Sequence, residues 1–489
     1  MADSLKTKAV HGIFWNFLER IGEQGIHFVV VIILARLLAP ELFGLVGMLS
    51  IFIEVSRVFI DSGFGAALIQ RKGATTVDKC SIFYFNILVG VLAAGLLCAS
   101  SPWIAAFYHR PILVPLTCAL SSTLVINSFA GIQSALLNKH IDFKTQLKVG
   151  VGAVALSGAI GIVMAIRGFG VWSLVGQSIG ASLFRTTLLW FLSPWRPSLL
   201  FSFRALREMF GFGSRIFASY LLNTIFENIY LVVIGRLFSA THLGLYSGAK
   251  KVQNLATINI TGVVTTVAFP VFSMIQDDPV RLKRSMRKAI TMLALVNFPI
   301  MVGMALVARP LVYVLLTEKW AGSIHWLQLL CVAGLLYPIQ SLHLNALTAS
   351  GRSDLYFRLE VLKKILVVVL IAITYRWGVT GMIWGQIAMS FLSYYINSYY
   401  TSRLIHYSLR EQFSDMAPYA VASALMGLGL YGVQLLPFVN DELLLSAGVL
   451  FGIVLYALLS YAFRLSAFLE ITDATRRKMR SYTLSSMRS

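Results

Sequence analysis

The sequence predicts an all-α polytopic membrane protein of about fourteen transmembrane helices, arranged as two parallel six-helix repeats followed by two further helices. Three observations predict it: composition, recurring apolar runs, and an echo of one half of the chain in the other. Of the 489 residues, 57% are hydrophobic and only 13% charged, whereas soluble proteins carry roughly a quarter charged residues. A soluble fold has too little interior to hide that much apolar surface. The apolar runs are about 20 residues long, enough to cross a hydrocarbon layer about 30 Å thick. They lack the two-residue alternation of an outer-membrane barrel.

Breaks at charged or turn-rich residues define the spans in order. The first six cover about 12–38, 42–69, 81–107, 112–137, 149–166 and 170–193. The second six cover about 211–237, 242–274, 289–316, 324–349, 362–376 and 380–402, and the last two about 417–437 and 443–463. An even count puts both termini on one side, and the Lys/Arg asymmetry of short loops says which. With both termini cytoplasmic, the inside loops collect Arg71, Lys72 and Lys79, then Lys139, Lys144 and Lys148, and so on through Arg403 and Arg410. The outside loops hold only Arg110, Arg167, Lys319 and Arg376. The formal charge of +20 is therefore a topology signal and not a nucleic-acid surface.

Connections 194–210 and 275–288 mix basic and apolar residues, which suits short interfacial helices or plain extensions of the flanking spans. The expected organisation is a first lobe at 1–193, an amphipathic linker at 194–210, a second lobe at 211–402, the trailing pair at 403–465 and a basic cytoplasmic tail at 466–489. The N-terminus runs straight into the first span without a small-residue cleavage site, so it reads as a retained helix. Cys80, Cys98, Cys118 and Cys331 lie in or beside apolar runs with no CxxC spacing. They read as packing residues, not as a metal or disulfide framework.

The repeat is visible first at an offset of 200, with later echoes at slightly larger offsets. ILARLLAPELFGL (33–45) is echoed by VIGRLFSATHLGL (233–245), so that Arg36, Leu37, Gly44 and Leu45 meet Arg236, Leu237, Gly244 and Leu245. Asp142, Leu147 and Val149 recur as Asp354, Leu359 and Val361, and GVWSLVGQ (170–177) as GVTGMIWGQ (378–386). Six spans per copy make the repeat parallel, and transporters commonly bind substrate between such repeats.

A charge at the bilayer centre costs at least about 2.5 kcal/mol, so clustered charges need a wet or paired environment. On the first span Asn16, Arg20, Glu23 and His27 share one face, with Glu19 beside it; on the second, Glu54, Arg57 and Asp61 do the same. The seventh carries Arg215, Ser219, Asn223 and Glu227, and the eighth Ser247, Lys250, Lys251, Asn254, Thr257 and Thr261. Either these four spans line one water-filled cavity, or neighbours such as Arg20–Glu23 and Glu54–Arg57 are ion pairs that merely permit insertion. Cations in such a cavity favour an acidic head group such as pyrophosphate. Arg20, Arg57, Lys250 and Lys251, with Asn254, are the candidates for it. Asn16, Glu19, Glu23, His27, Glu54, Asp61, Asn223 and Glu227 are candidates for lining the cavity or for proton or sodium coupling. No Walker loop, GxGxxG after a strand, zinc spacing or nucleophile elbow occurs, and no loop is large enough for a catalytic domain. The sequence therefore points away from an enzyme, including a membrane polymerase or glycosyltransferase, and calls for no cofactor.

ARLLAPELFGLVGMLSIFIEVSRVFIDSGFGAALIQRK (35–72) resembles the first-to-second-helix signature of bacterial polysaccharide transporters. These belong to the multidrug, oligosaccharidyl-lipid and polysaccharide exporter superfamily. FPVFSMIQDDPVRLKRSMRKAI (269–290) and EKWAGSIHWLQLLCVAGLL (318–336) resemble the same family, its colanic-acid-type exporters in particular. The resemblance runs to about residue 410. It implies two six-helix lobes around a central cavity, working by alternating access in the bacterial inner membrane. The implied cargo is an undecaprenyl-diphosphate-linked oligosaccharide, flipped to the periplasmic leaflet before polymerisation into lipopolysaccharide or exopolysaccharide. The implied partners are the bilayer, that lipid-linked sugar, a polysaccharide polymerase and other assembly proteins. Cationic residues on the first, second and eighth spans are also implied, where Arg20, Arg57 and Lys250 or Lys251 stand. A multidrug–cation antiporter of the same superfamily is the alternative. It would favour an acidic, aromatic cavity without Arg57, Lys250 and Lys251.

Overall fold

The computed structural model describes residues 2–61, 63–71, 73–435 and 440–473, apart from the side chains of residues 2–14, 16, 17, 20, 212, 215, 258, 259, 263, 265, 266 and 353. Among the described residues all regular structure is helical. The first half runs through α1 (Ala2–Leu37), α2 (Pro40–Asp61) with α3 (Phe64–Gln70), α4 (Thr76–Ala99) with α5 (Ser101–Tyr108), α6 (Leu113–Ser128) with α7 (Gly131–Lys139), α8 (Phe143–Ile166) and α9 (Trp172–Leu192). The second runs through α10 (Phe203–Leu237), α11 (Ala240–Met274), α12 (Pro279–Leu306) with α13 (Ala308–Leu316), α14 (Ile324–Gly334) with α15 (Tyr337–Ala349), α16 (Ser353–Thr374) and α17 (Gly378–Ile405). Then come α18 (Leu409–Gln434) and α19 (Asp441–Ala462).

The element order repeats as the sequence echo does. Helices α1 and α10 end at Leu37 and Leu237, and their successors start at Pro40 and Ala240. The third and fourth stretches are broken in both halves, at Ser100 and residues 129–130, then at Val307 and residues 335–336. Pro102 and Pro338 sit in the first turns of α5 and α15, where a missing N–H loses no partner.

Nine helical stretches of the described residues are long and apolar enough to cross a membrane, and the α6–α7 pair, bent by 45°, makes a tenth. The chain is a multi-pass helical membrane protein. Helices α1, α9, α16 and α17, with 36, 21, 22 and 28 residues, are also long but more polar. Among the described residues each stretch expected to span falls on these helices; residue 62 of 42–69 and the end of 417–437 lie outside them.

Packing divides the chain into two compact units, Met1–Ser247 and Gly248–Ser489, with the boundary inside α11. In the first unit α8 packs on α1 and α9, α4 on α6, and α2 on α10. The two echoed turns meet there. A Cβ on Gly44 would overlap the carbonyl of Ala240, and a Cβ on Gly244 would overlap the carbonyl of Pro40. Since Pro40 and Ala240 are themselves equivalent positions of the echo, the contact is reciprocal. In the second unit α12 packs on α18 and α14, around a core that includes Phe272, Met286, Ile290, Leu342 and Tyr419.

Two expectations change. Cys98 and Cys118 form a disulfide, because the turn after α5 folds α6 back along α4 and brings the two thiols together. The reading as packing residues holds only for Cys80 and Cys331, both buried and free. Residues 194–202 are not helical. They form a strap along the start of α4, where Ser198 N–H donates to Cys80 Sγ (3.3 Å), Ser202 N–H to Ser81 Oγ (2.8 Å) and the Tyr84 hydroxyl to the Ser198 carbonyl (3.1 Å). Residues 203–210 and 279–288 are plain extensions of α10 and α12. In α12 the Asp278 carboxylate caps the start, accepting the N–H groups of Val280 and Arg281.

Candidate functional site

Several charged residues of the membrane-spanning helices, Arg57, Asp61 and Lys251 among them, lie on faces that are partly or fully open. On α1 the side chains of Asn16 and Arg20 lie outside the described residues, while Glu19 and Glu23 are half-buried and His27 is exposed. Small residues set the approach of α1 to α8: Gly22 lies against Leu147 and Val151, and Gly158 admits Val30. Gly150 leaves room for the Glu23 carboxylate, which a Cβ there would strike. Glu23 then reaches Arg185 of α9, whose Nη1 donates to Oε1 at 3.1 Å. Sequence reasoning missed Arg185; the available signal was a lone guanidinium inside an apolar span.

On α2 the buried residues cluster toward the start, at Pro40, Phe43, Gly44, Leu45, Met48 and Leu49, and residues 50–58 are half-buried throughout. Arg57 Nη1 donates to Glu54 Oε1 at 2.9 Å, with both side chains more than 40% exposed. This is one of the two intrahelical pairs the sequence allowed; the other, Arg20–Glu23, lies outside the described residues because the Arg20 side chain does. Asp61 is exposed one turn further on. Helix α10 packs against this part of α2 through the Phe59–Phe217 ring pair, 5.0 Å between centroids, and through Gly63 against the Gly213 backbone. Asn223 is half-buried on α10 and Glu227 is exposed.

In the second unit, Gln253 and Thr257 on α11 are buried. The Gln253 amide donates to Thr257 Oγ1 at 2.6 Å and fills the space beside Gly334. Trp320 packs on Gly248. With that side fixed inward, Lys250 and Asn254, four residues apart, are half-buried, and Lys251 is exposed. The structure thus groups Glu54, Arg57 and Asp61 on α2, and Lys250, Lys251 and Asn254 on α11. Glu23 has a partner on α9. Among the described residues no group of three or more His, Cys, Asp and Glu side chains is suited to hold a metal ion.

The connections between spans carry a second set of charges, and these are bound to one another. Arg71 bridges Asp78 (3.5 Å) and Glu208 (3.0 Å), and Lys139 Nζ donates to the carbonyls of Leu68 and Arg71 (2.7 Å each). Lys283 donates to Glu411 (2.8 Å) and to the His406 carbonyl (2.7 Å). Arg352 donates to the exposed Asp354 at 3.2 Å and holds its carboxyl below the usual carboxylate range.

Residues 33–325 match the family described as "Polysaccharide biosynthesis protein". The chain is 30% identical over 387 residues to the teichuronic acid biosynthesis protein TuaB of Bacillus subtilis, covering 78% of this chain and 79% of that one. It is 27% identical to the lipopolysaccharide biosynthesis protein WzxC of Escherichia coli, over 80% of this chain and 81% of the other. Among solved structures it resembles the lipid II flippase MurJ in an inward closed conformation, with a TM-score of 0.75 at 16% identity, over 92% of this chain and 98% of that one. That likeness is one of fold.

Proposed function

The chain belongs to the polysaccharide biosynthesis protein family, and from that premise we propose that it flips an undecaprenyl-diphosphate-linked oligosaccharide from the cytoplasmic to the periplasmic leaflet of the bacterial inner membrane. One observation carries the reading: Arg57 on α2 and Lys250 with Lys251 on α11 stand on open faces of helices apolar enough to span. A cation at that depth favours a diphosphate over a neutral or cationic cargo, which is why a drug–cation antiporter fits less well. Arg57 is held by Glu54 in a pair that is partly exposed, and such pairs contribute only about 0–1 kcal/mol. A phosphate oxygen can take over the guanidinium at little cost. The carboxylate it leaves, with Glu19, Glu23, His27, Asp61 and Glu227, is the candidate for proton or sodium coupling, and Asn16, Asn223 and Arg20 complete the expected lining. No bond of the cargo is made or broken, and no cofactor is required.

The proposed topology has fourteen crossings with both termini inside, lobes at 1–193 and 211–402 and the trailing helices at 403–465. Two findings support it. The Cys98–Cys118 disulfide closes around a turn that the loop charges assign to the outside, and disulfides persist on the oxidising side of the inner membrane. Large exposed aromatic residues stand near the ends of the spans on both sides, such as Trp103, Phe169 and Trp377 at the turns proposed as outside and Phe201, Phe203 and Phe357 at those proposed as inside, as expected at the two membrane boundaries. A polysaccharide polymerase is the expected downstream partner.

The test is genetic and chemical. Deleting the gene should leave lipid-linked oligosaccharide on the cytoplasmic leaflet. Arg57→Ala, or Lys250→Ala with Lys251→Ala, should reduce delivery about tenfold or more at unchanged expression, the size expected for a lost charge-assisted contact. Normal surface polysaccharide in cells carrying only those variants would refute the head-group assignment.

A further inference from the structure

The turn after α19 is held firmly. Leu465 and Ala467 are buried, the Ala467 N–H donates to the Tyr419 hydroxyl at 3.2 Å, and that hydroxyl lies 3.2 Å from Ser466 Oγ. Lys288 of α12 pairs with Glu470. Arg464 adopts a φ of 49°, the left-handed region that a residue with a side chain enters only under constraint from its surroundings. These restraints frame a cavity of about 610 Å³ between the first turns of α12, the start of α18 and this turn.

One wall of the cavity is cationic, formed by Arg284, Arg287, Lys288 and Arg464; the acids that line it are Asp415 and Glu470. Both acids are already engaged. Asp415 accepts from Arg287 and from the Tyr407 hydroxyl, and Glu470 pairs with Lys288. Arg284 and Arg464 meet no acid among the described residues. The rest of the lining mixes the hydroxyls of Thr291, Ser414, Tyr419 and Ser466 with an apolar stretch of Met292, Pro418, Phe463 and Leu465. Phe463 and the neighbouring Tyr461 are exposed, at the end of a helix apolar enough to cross a membrane. The cavity therefore opens beside a surface that lipid covers.

We propose that this cavity binds the phosphodiester head group of an anionic phospholipid, gripped by Arg284 and Arg464, with its first acyl carbons along Met292 and Phe463. Guanidinium forks match phosphate oxygens in pairs, and a site that sets a cationic wall beside an apolar stretch fits an amphiphile. A soluble phosphate shares the head-group chemistry, but it would leave the apolar stretch in water.

The test uses full-length protein in detergent and follows thermal unfolding as phosphatidylglycerol, phosphatidylcholine or inorganic phosphate is added. Phosphatidylglycerol should stabilise the parent, and the Arg284→Gln, Arg464→Gln double variant should need about tenfold more of it, the product of two weakened phosphate contacts. Arg281→Gln, outside the cavity, should bind like the parent. If the double variant does not accumulate, each single variant should show about a threefold loss. Stabilisation by inorganic phosphate alone, or by phosphatidylcholine equally, would overturn the assignment. So would unchanged phosphatidylglycerol binding in the arginine variants, or an equal loss in Arg281→Gln.

Discussion

Glu23 is where the sequence and the folded chain part most sharply at the scale of one residue. Its spacing from Arg20 and His27 marked a polar face of α1, of which the side chains of Asn16 and Arg20 lie outside the described residues. Its partner, however, is Arg185, 162 residues away. Periodicity records neighbours on one helix and is silent about which helix lies alongside. Only the room left by Gly150 makes the reach possible. Arg57 and Glu54 were legible because both sit on a single helix, three residues apart. The Glu23 pair also predicts a stability pattern. Arg185→Leu alone leaves a half-buried carboxylate without its partner and should cost about 1–3 kcal/mol. Glu23→Leu added to it should recover most of that loss in thermal unfolding of the purified protein. A double variant no more stable than Arg185→Leu would mean the pair does not hold α1 to α9.

At the scale of helices, the offset of 200 revealed the repeat, and the matching ends of α1 and α10 follow from it. The breaks within the third and fourth stretches were not legible, since hydropathy averages across a bend without registering it. The linker at 194–202 was not legible either, because mixed basic and apolar residues suit a strap as well as a helix. Nor could the echo announce that its two copies touch. At Gly44 and Gly244 an added methyl group meets main-chain carbonyl, so Gly44→Ala and Gly244→Ala should each destabilise by about 1–3 kcal/mol, the usual cost of overpacking. Gly95→Ala in α4, where nothing lies within 4 Å, is the control. It should be neutral or slightly stabilising, since alanine is the better helix former. Equal effects at all three positions would count against the contact.

For the whole molecule, the charge asymmetry of the loops and the Cys98–Cys118 disulfide make independent statements about sidedness. Without reductant, neither thiol should react with a maleimide in denatured protein, and both should react after reduction. In a background with Cys98→Ser and Cys118→Ser, Arg376→Cys should be labelled in intact cells by a reagent that cannot cross the inner membrane. Arg410→Cys should be labelled only after lysis. The reverse pattern would invert the proposed topology.

The reciprocal glycine contact also bears on how this protein can vary. A clash between two side chains can be relieved by shortening either one. Here the atoms struck are the carbonyls of Ala240 and Pro40, which every amino acid possesses. A defect at Gly44 therefore should have no second-site suppressor at position 240, nor one at Gly244 a suppressor at position 40. Each copy of the turn constrains the other, so the two can drift apart in sequence elsewhere while remaining bound to glycine at the same place.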